Sequence, residues 1–326
     1  MVERTLTPRS VIGREGPRRT PARKRWTAFE SRLADGQSIA LIPLALFLAL
    51  ALLGPWLGND PTAQDLANRL QPPVLFGGNW EHPLGTDSLG RDVLARILVG
   101  ARLSLIVGLV AASISAVIGV SLGLLAGNRG GSIDTIITAV GELSLSVPTI
   151  VIGIVLVSTL GQSITNLLII LVISGWLGYA RVVRIQARNL VHADFITGAV
   201  ALGATRTRIA FVHVLPNVMP QVIVLFCQQV AAVMLWEASL TYLGIGLPIE
   251  RISLGGMIRE GQEHVFDGWW IAFIPGLAIA LAVIGFNLLA DWLQHERDPA
   301  RRSIRGAGNG RAMRRVHDTG ECRRCV

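Results

Sequence analysis

Lysine is almost absent from this chain: the only one in 326 residues is Lys24, inside "RTPARKRW". That excludes a GxxxxGK[ST] phosphate loop, whose lysine reaches the β- and γ-phosphates. If ATP drives this protein, another subunit must supply the hydrolysis. Cysteine is scarce as well. Cys227, Cys322 and Cys325 make no secreted disulfide framework. The last two form a CxxC at the very end, but two ligands alone do not close a zinc site. The six histidines are scattered, none at ligand spacing with another, which argues against metal binding. Charge is sparse too, at 16% of residues against about 25% in a soluble domain. With 51% hydrophobic residues and a mean hydropathy of +0.51, the balance is that of a membrane protein.

What the chain does have is long apolar runs. Residues 39–57 are 19 residues without a charge, about the length that spans a bilayer. A second uncharged run covers 103–126, and a third runs from about 133 to 160 carrying Asp134 and Glu142. The fourth, 164–180, stops at Arg181; the fifth, 217–243, is interrupted only by Glu237. The sixth, 269–290, opens on Trp269 and Trp270, a pair suited to the membrane interface. The first run follows a polar leader of 38 residues and exceeds the apolar stretch of about 7–15 residues in a signal peptide, so it reads as a retained span. The expectation is an all-α integral membrane protein with six transmembrane helices.

Arginine and lysine set the expected orientation. Residues 1–38, 127–132, 181–216 and the tail from 291 hold 24 of them; the loops 58–102 and 244–268 hold 6. An even number of spans puts both termini on the richer side, which is the cytoplasm. The net charge of +8 and pI near 10.7 then follow from the positive-inside rule, and a nucleic-acid partner is set aside. The expected organisation is a cytoplasmic tail over 1–37 and a first helix with an extracytoplasmic loop over 38–102. A five-helix core over 103–293 and a second cytoplasmic tail over 294–326 follow. Both tails, rich in Pro, Arg and Thr or in Gly and Arg, are expected to be disordered.

Several positions stand out inside this frame. Gly119, Gly123 and Gly127 share one helix face, a spacing that lets two backbones approach closely. Glu142 and Glu237 are carboxylates in apolar runs and must face protein or water. They are candidates for the translocation path or for gating, with a structural role as the plainer alternative. Pro148 is expected to kink the third span and free backbone carbonyls near a cavity. "HPLGTDSLGRDVLARILVGARLSL", 82–105, reads as turn residues followed by an interfacial helix, capped by Asp87 or Ser88, that leads into span two.

The polar interruption "DFITGAVALGATRTRIAFVHVLPN", 194–217, is the most patterned stretch. From Ala193 to Leu202 the residues favour a helix with Phe195, Ile196, Ala199 and Leu202 as one apolar stripe. Gly203 is expected to stop it by taking positive φ. A second short helix from about Thr205 carries Ile209, Phe211 and Val212, with Arg206 and Arg208 exposed, before Pro216 and Pro220. Such a small-residue helix and glycine elbow suits a compact knob that enters another protein's cleft. An amphipathic helix lying on the membrane surface fits the same residues.

The pattern resembles the cytoplasmic signature of binding-protein-dependent ABC import permeases: E-A-A, three residues, G, nine residues, then a segment ending in L-P. Here Gly203 is followed by nine residues and then "HVLP" at 213–216. "GGSIDT" (130–135), "GYARVVR" (178–184), "WEASLTYLGIGL" (236–247) and "FNLLADWLQHERDPARR" (286–302), with the 82–105 stretch, resemble the dipeptide/oligopeptide/nickel branch. The resemblance implies a type I importer permease fold in which the segment at about 193–216 is a coupling helix that docks on a cytoplasmic ATPase. By position, Thr197, Gly198 and Ala199 match E-A-A, Gly203 the glycine, and Leu215 and Pro216 the L-P. Glutamate is replaced by Thr197, with Asp194 one turn earlier as a candidate substitute. Leu202, Arg206 and Arg208 complete the expected coupling surface.

The resemblance further implies an inner-membrane permease subunit, not an enzyme, of an ATP-driven peptide importer. Its partners would be a homologous second permease, two ATPase subunits that bind ATP and Mg, an extracytoplasmic binding protein and membrane lipid. The chain itself would bind no cofactor. The competing readings are a proton-coupled carrier using Glu142 and Glu237 and a membrane-anchored scaffold without transport. Within the family, a nickel, glutathione or opine permease is the alternative.

Overall fold

The computed structural model describes residues 41–57 and 59–296. The expectations for the two tails, the terminal CxxC included, lie outside the described residues. Regular structure among the described residues is helical, with one isolated antiparallel bridge between Thr86 and Asp92. In chain order the helices are α1 (Ile42–Leu57), α2 (Val93–Arg129), α3 (Gly131–Ser146), α4 (Thr149–Leu160) and α5 (Ile164–Val191). After them come α6 (Asp194–Ala201), α7 (Arg206–Tyr242), α8 (Leu254–Gln262) and α9 (Trp270–Glu296). Two 3₁₀ turns, Leu66–Asn68 and Val74–Phe76, lie between α1 and α2.

Four helices, α2, α5, α7 and α9, are long and apolar enough to cross a membrane. The pair α3 and α4 makes a fifth crossing if the two are counted as one. Helix α1 has 16 residues, about 24 Å at 1.5 Å per residue, short of a hydrocarbon core of about 30 Å. The described residues therefore give four or five crossings by length, where six apolar runs were expected.

Three boundaries differ from those expected, each for a local reason. The interfacial segment and the second span are one helix that starts later than expected, because Asp92, not Asp87 or Ser88, caps it: its Oδ1 accepts from Leu94 N at 2.8 Å and Ala95 N at 3.4 Å. The fourth span continues past Arg181 to Val191, since Arg184 reaches across to Asp134 at the start of α3 (Nη2–Oδ2 2.9 Å). The third span does more than kink. Its two halves meet at 79° around Val147–Pro148. Proline has no N–H to continue α3 and opens α4 instead, and its carbonyl accepts from Val151 at 2.9 Å and Ile152 at 3.3 Å.

The glycine row packs α2 on α5. A Cβ at Gly119 would meet Trp176 O and stand 2.6 Å from Tyr179 Cβ. At Gly123 it would stand 2.7 Å from Ala180 O, and at Gly127 2.6 Å from Ala187 Cβ. Close backbone contact of this kind replaces a hydrophobic driving force that lipid cannot supply. Gly119→Leu is expected to push the helices apart at a cost of about 1–3 kcal/mol or more. The prediction is less protein in the membrane fraction by immunoblot. Gly178→Ala, where a Cβ meets nothing within 4 Å, should accumulate normally.

Of the apolar clusters along the bundle, two bear on the sites described below. Phe47, Ile97, Met234, Met257 and Phe286 join α1, α2, α7, α8 and α9. Leu124, Tyr179, Val183, Ile196, Ile209 and Val218 join α2, α5, α6 and the first part of α7. The tryptophan pair divides: Trp270 is buried and donates Nε1 to Thr86 O at 3.0 Å, while Trp269 stays at the surface.

Candidate functional site

Helix α6 is eight residues long, too short to be stable alone. Ile196 holds it, fully buried in the second core. The expected apolar stripe is not one buried face: Phe195 is half exposed and Leu202 is 90% exposed. A helix lying across the ends of α5 and α7 inserts one anchor and turns its other apolar side chains outward.

Gly203 has φ +84 and ends α6 as expected. Ala204 N donates to Ala199 O at 3.0 Å and Gly203 N to Val200 O at 2.9 Å, the paired bonds of a Schellman closure. Thr205 then caps α7, its Oγ1 accepting from Arg208 N at 3.3 Å. The second helix is not a separate short one. From Arg206 it runs through a π segment, Ile209–Val214, directly into the span that ends at Tyr242. Leu215 N reaches back five residues to Ala210 O. The wider turn accommodates Pro216, whose ring would otherwise press on the carbonyl four residues earlier.

Asp194, Thr197, Gly198, Arg206, Arg208 and Pro216 are all exposed, while Ala199 and Leu215 are half-buried. Asp194 sits in the first turn of α6, where the helix dipole favours an acid. Thr197 Oγ1 is turned onto its own helix, donating to Ala193 O at 3.4 Å. Asn128, at the end of α2, donates Nδ2 to Arg206 O at 3.0 Å and fixes the far side of the elbow. Of the expected coupling residues, Asp194, Thr197, Gly198, Leu202, Gly203, Arg206 and Arg208 thus lie exposed on α6 and the turn after it, while Ala199 and Leu215 are partly covered.

The two acids are not brought together. Glu142 is exposed on α3. Glu237 is fully buried on α7, where Ser104 Oγ donates to Oε2 at 2.7 Å and Thr241 Oγ1 to Oε1 at 3.2 Å. Leu247 N in turn donates to Thr241 Oγ1 at 3.2 Å. The chain of bonds ties α2, α7 and the turn after α7. Glu237→Ala removes the acceptor of two buried hydroxyls, a loss of about 1–3 kcal/mol. Its melting temperature in detergent is expected to fall below that of Glu237→Gln, which keeps an acceptor oxygen.

A second polar cluster was not foreseen. Asp87 Oδ2 accepts from Arg91 Nε at 2.6 Å and also pairs with Arg96. Glu260 of α8 receives Arg91 Nη2 and Arg96 Nη1, each at 2.8 Å. Burial pushes the Asp87 carboxyl upward, but the Arg91 N–H, the Arg96 and Arg91 guanidiniums and the Leu89 N–H together hold it below the usual range. The Asp87–Arg91 spacing of four residues was a visible signal; Glu260 was not.

The family described as binding-protein-dependent transport system inner membrane component matches residues 119–303. The chain is 34% identical to the dipeptide transport system permease protein of Haemophilus influenzae, over 86% of this chain and 95% of that one. It is 33% identical to the oligopeptide transport system permease protein of Bacillus subtilis, over 80% of this chain and 84% of that one. Among solved structures it is similar to the MetNI methionine ABC transporter in an inward facing conformation, with 18% identity and a TM-score of 0.48, over 60% of this chain and 94% of that one. With the family matched over more than half its length, the chain belongs to the inner membrane components of binding-protein-dependent transport systems.

Proposed function

We propose that this chain forms one half of the translocation path of an ATP-driven importer for di- or oligopeptides, and that α6 with its elbow is the coupling element. One observation carries the second part. The surface from Asp194 to Arg208 is exposed, apolar at Phe195, Val200 and Leu202, and held in one shape by the Schellman closure and the Ile196 anchor. A Cβ at Gly198 would meet nothing within 4 Å, so the chain's own packing does not demand a small residue there. A cleft on another protein would. Peptide as substrate is supported by the dipeptide and oligopeptide relatives.

In this reading α1, α2, the bent pair α3–α4, α5, α7 and α9 are the six crossings, and the arginine bias sets both termini in the cytoplasm. The partners are a homologous second permease, two ATPase subunits that carry ATP and Mg, an extracytoplasmic binding protein and surrounding lipid. Closure of the ATPases would move α6 and, through the continuous helix α7, switch the path between its two openings.

The test is a photocrosslinker at Leu202 in the assembled complex. A crosslink to the ATP-binding subunit is the expected product; a crosslink only to lipid overturns the coupling assignment. Uptake assayed against a panel of di- to pentapeptides, competed by unlabelled peptide, tests the substrate class, and transport of none of them overturns it.

A further inference from the structure

The segment between α1 and α2 carries a second contact with the membrane: we propose that the turn Val74–Phe76 is a lipid-seated wedge that rests Leu75 and Phe76 in the apolar boundary of the bilayer, beside the start of α9. The surrounding run "QPPVLFGGNW", 71–80, contains no charged residue, although Arg69 and Glu81 flank it closely. Leu75 is 91% exposed and Phe76 62% exposed. A large apolar pair at the tip of an outer turn is costly in water unless something covers it.

The turn is held in place. Val74 N donates to Pro83 O at 3.2 Å, Gly77 N to Val74 O at 3.3 Å and Gly78 N to Pro73 O at 3.2 Å, with Gly77 in the left-handed region at φ +99. What covers it follows from its neighbour. The Phe76 ring meets Trp269 edge-on at 5.2 Å and 88°, and Trp269 meets Phe273 at 5.6 Å. Phe273 begins a row on α9, with Leu277 and Ile284, that shares one helix face and stays at least half exposed. On a helix long and apolar enough to cross the membrane, that face is the one turned to lipid. Phe76 continues the row past its end, at the level where aromatic side chains collect. Lipid is therefore the occupant continuous with an existing apolar face, ahead of a second protein.

The inference rests on reading α9 as a crossing, and the experiment separates the two. The full chain, with Cys227→Ala, Cys322→Ser and Cys325→Ser, is reconstituted in nanodiscs of phosphatidylethanolamine and phosphatidylglycerol. A nitroxide is attached in turn at Leu75→Cys, Leu277→Cys and Leu66→Cys, and its collisions with oxygen and with a water-soluble nickel chelate are measured. At Leu75 the oxygen-to-nickel ratio is expected to be several-fold above that at Leu66 and close to that at Leu277. Free access of nickel to Leu75, as at Leu66, places the turn in water and overturns the wedge. Exclusion of both reagents from Leu75 places it against protein and overturns it too. A Leu277 label shielded from oxygen removes the reading of α9 itself, and the wedge with it.

Discussion

Gly203→Val is expected to abolish transport while the protein still inserts and accumulates. At φ +84 the backbone is left-handed, yet a Cβ there meets nothing within 4 Å. The penalty is therefore conformational and not steric crowding. It amounts to about 1–2 kcal/mol for an ordinary side chain and more for a β-branched one. Against a global stability of about 5–15 kcal/mol that is too little to unfold the protein. Against a single turn closed by two hydrogen bonds it is enough to rearrange the chain and displace α6. A graded series separates this from mere bulk. Asparagine, which tolerates the left-handed region, should retain most uptake, alanine less, and valine none. Wild-type uptake by the valine variant, with its ATPase coupling intact, would sink the docking assignment.

Arg96→Met should have the largest effect on stability of any single change at the other end of α7. Arg96 is buried and touches both Asp87 and Glu260. Removing one partner of a buried ion pair costs about 3–5 kcal/mol, because a charge is left uncompensated. Here Arg91 still bonds Asp87 and Glu260, which places the expected loss near the lower end of that range. Arg91→Met, at the half-buried rim of the cluster, should cost less, because the buried Arg96 still compensates both Asp87 and Glu260. Thermal unfolding of the purified chain in detergent reads both. Equal shifts for the two variants, or none for Arg96→Met, would show that the cluster is not organised around Arg96.

Much of the helical plan was legible because apolar runs must be long to be stable in lipid, and their lengths can be counted. The glycine spacing on α2 was legible for the same reason: one face repeats every four residues. The short helix, its stop at Gly203 and the exposure of Arg206 and Arg208 were legible from the local sequence, while the coupling role proposed for them came from the resemblance. What could not be read depends on partners distant in sequence. Arg96 and Glu260 are 164 residues apart, and nothing near either announces the other. The sealing of Glu237 is of this kind too, since its partner Ser104 lies on another helix. The angle at Pro148 was hidden for another reason. Proline fixes where a helix must stop, but the direction in which the next one leaves is set by packing. The stripe on α6 failed because periodicity marks an apolar face without saying how much of it the fold will cover.

The π segment of α7 gives the count of residues after Gly203 a meaning beyond reach. A π turn carries about one residue more than an α turn, and one residue corresponds to about 100° around a helix axis. Removing a single residue from Ile209–Val214 would let a regular α turn replace the wide one and leave the elbow at nearly its present bearing to the span. Removing one from a regular stretch of α7 would instead swing the elbow by roughly that angle. Between Gly203 and Pro216 the chain can thus give up one residue and keep its bearing, a tolerance that the rest of the helix lacks.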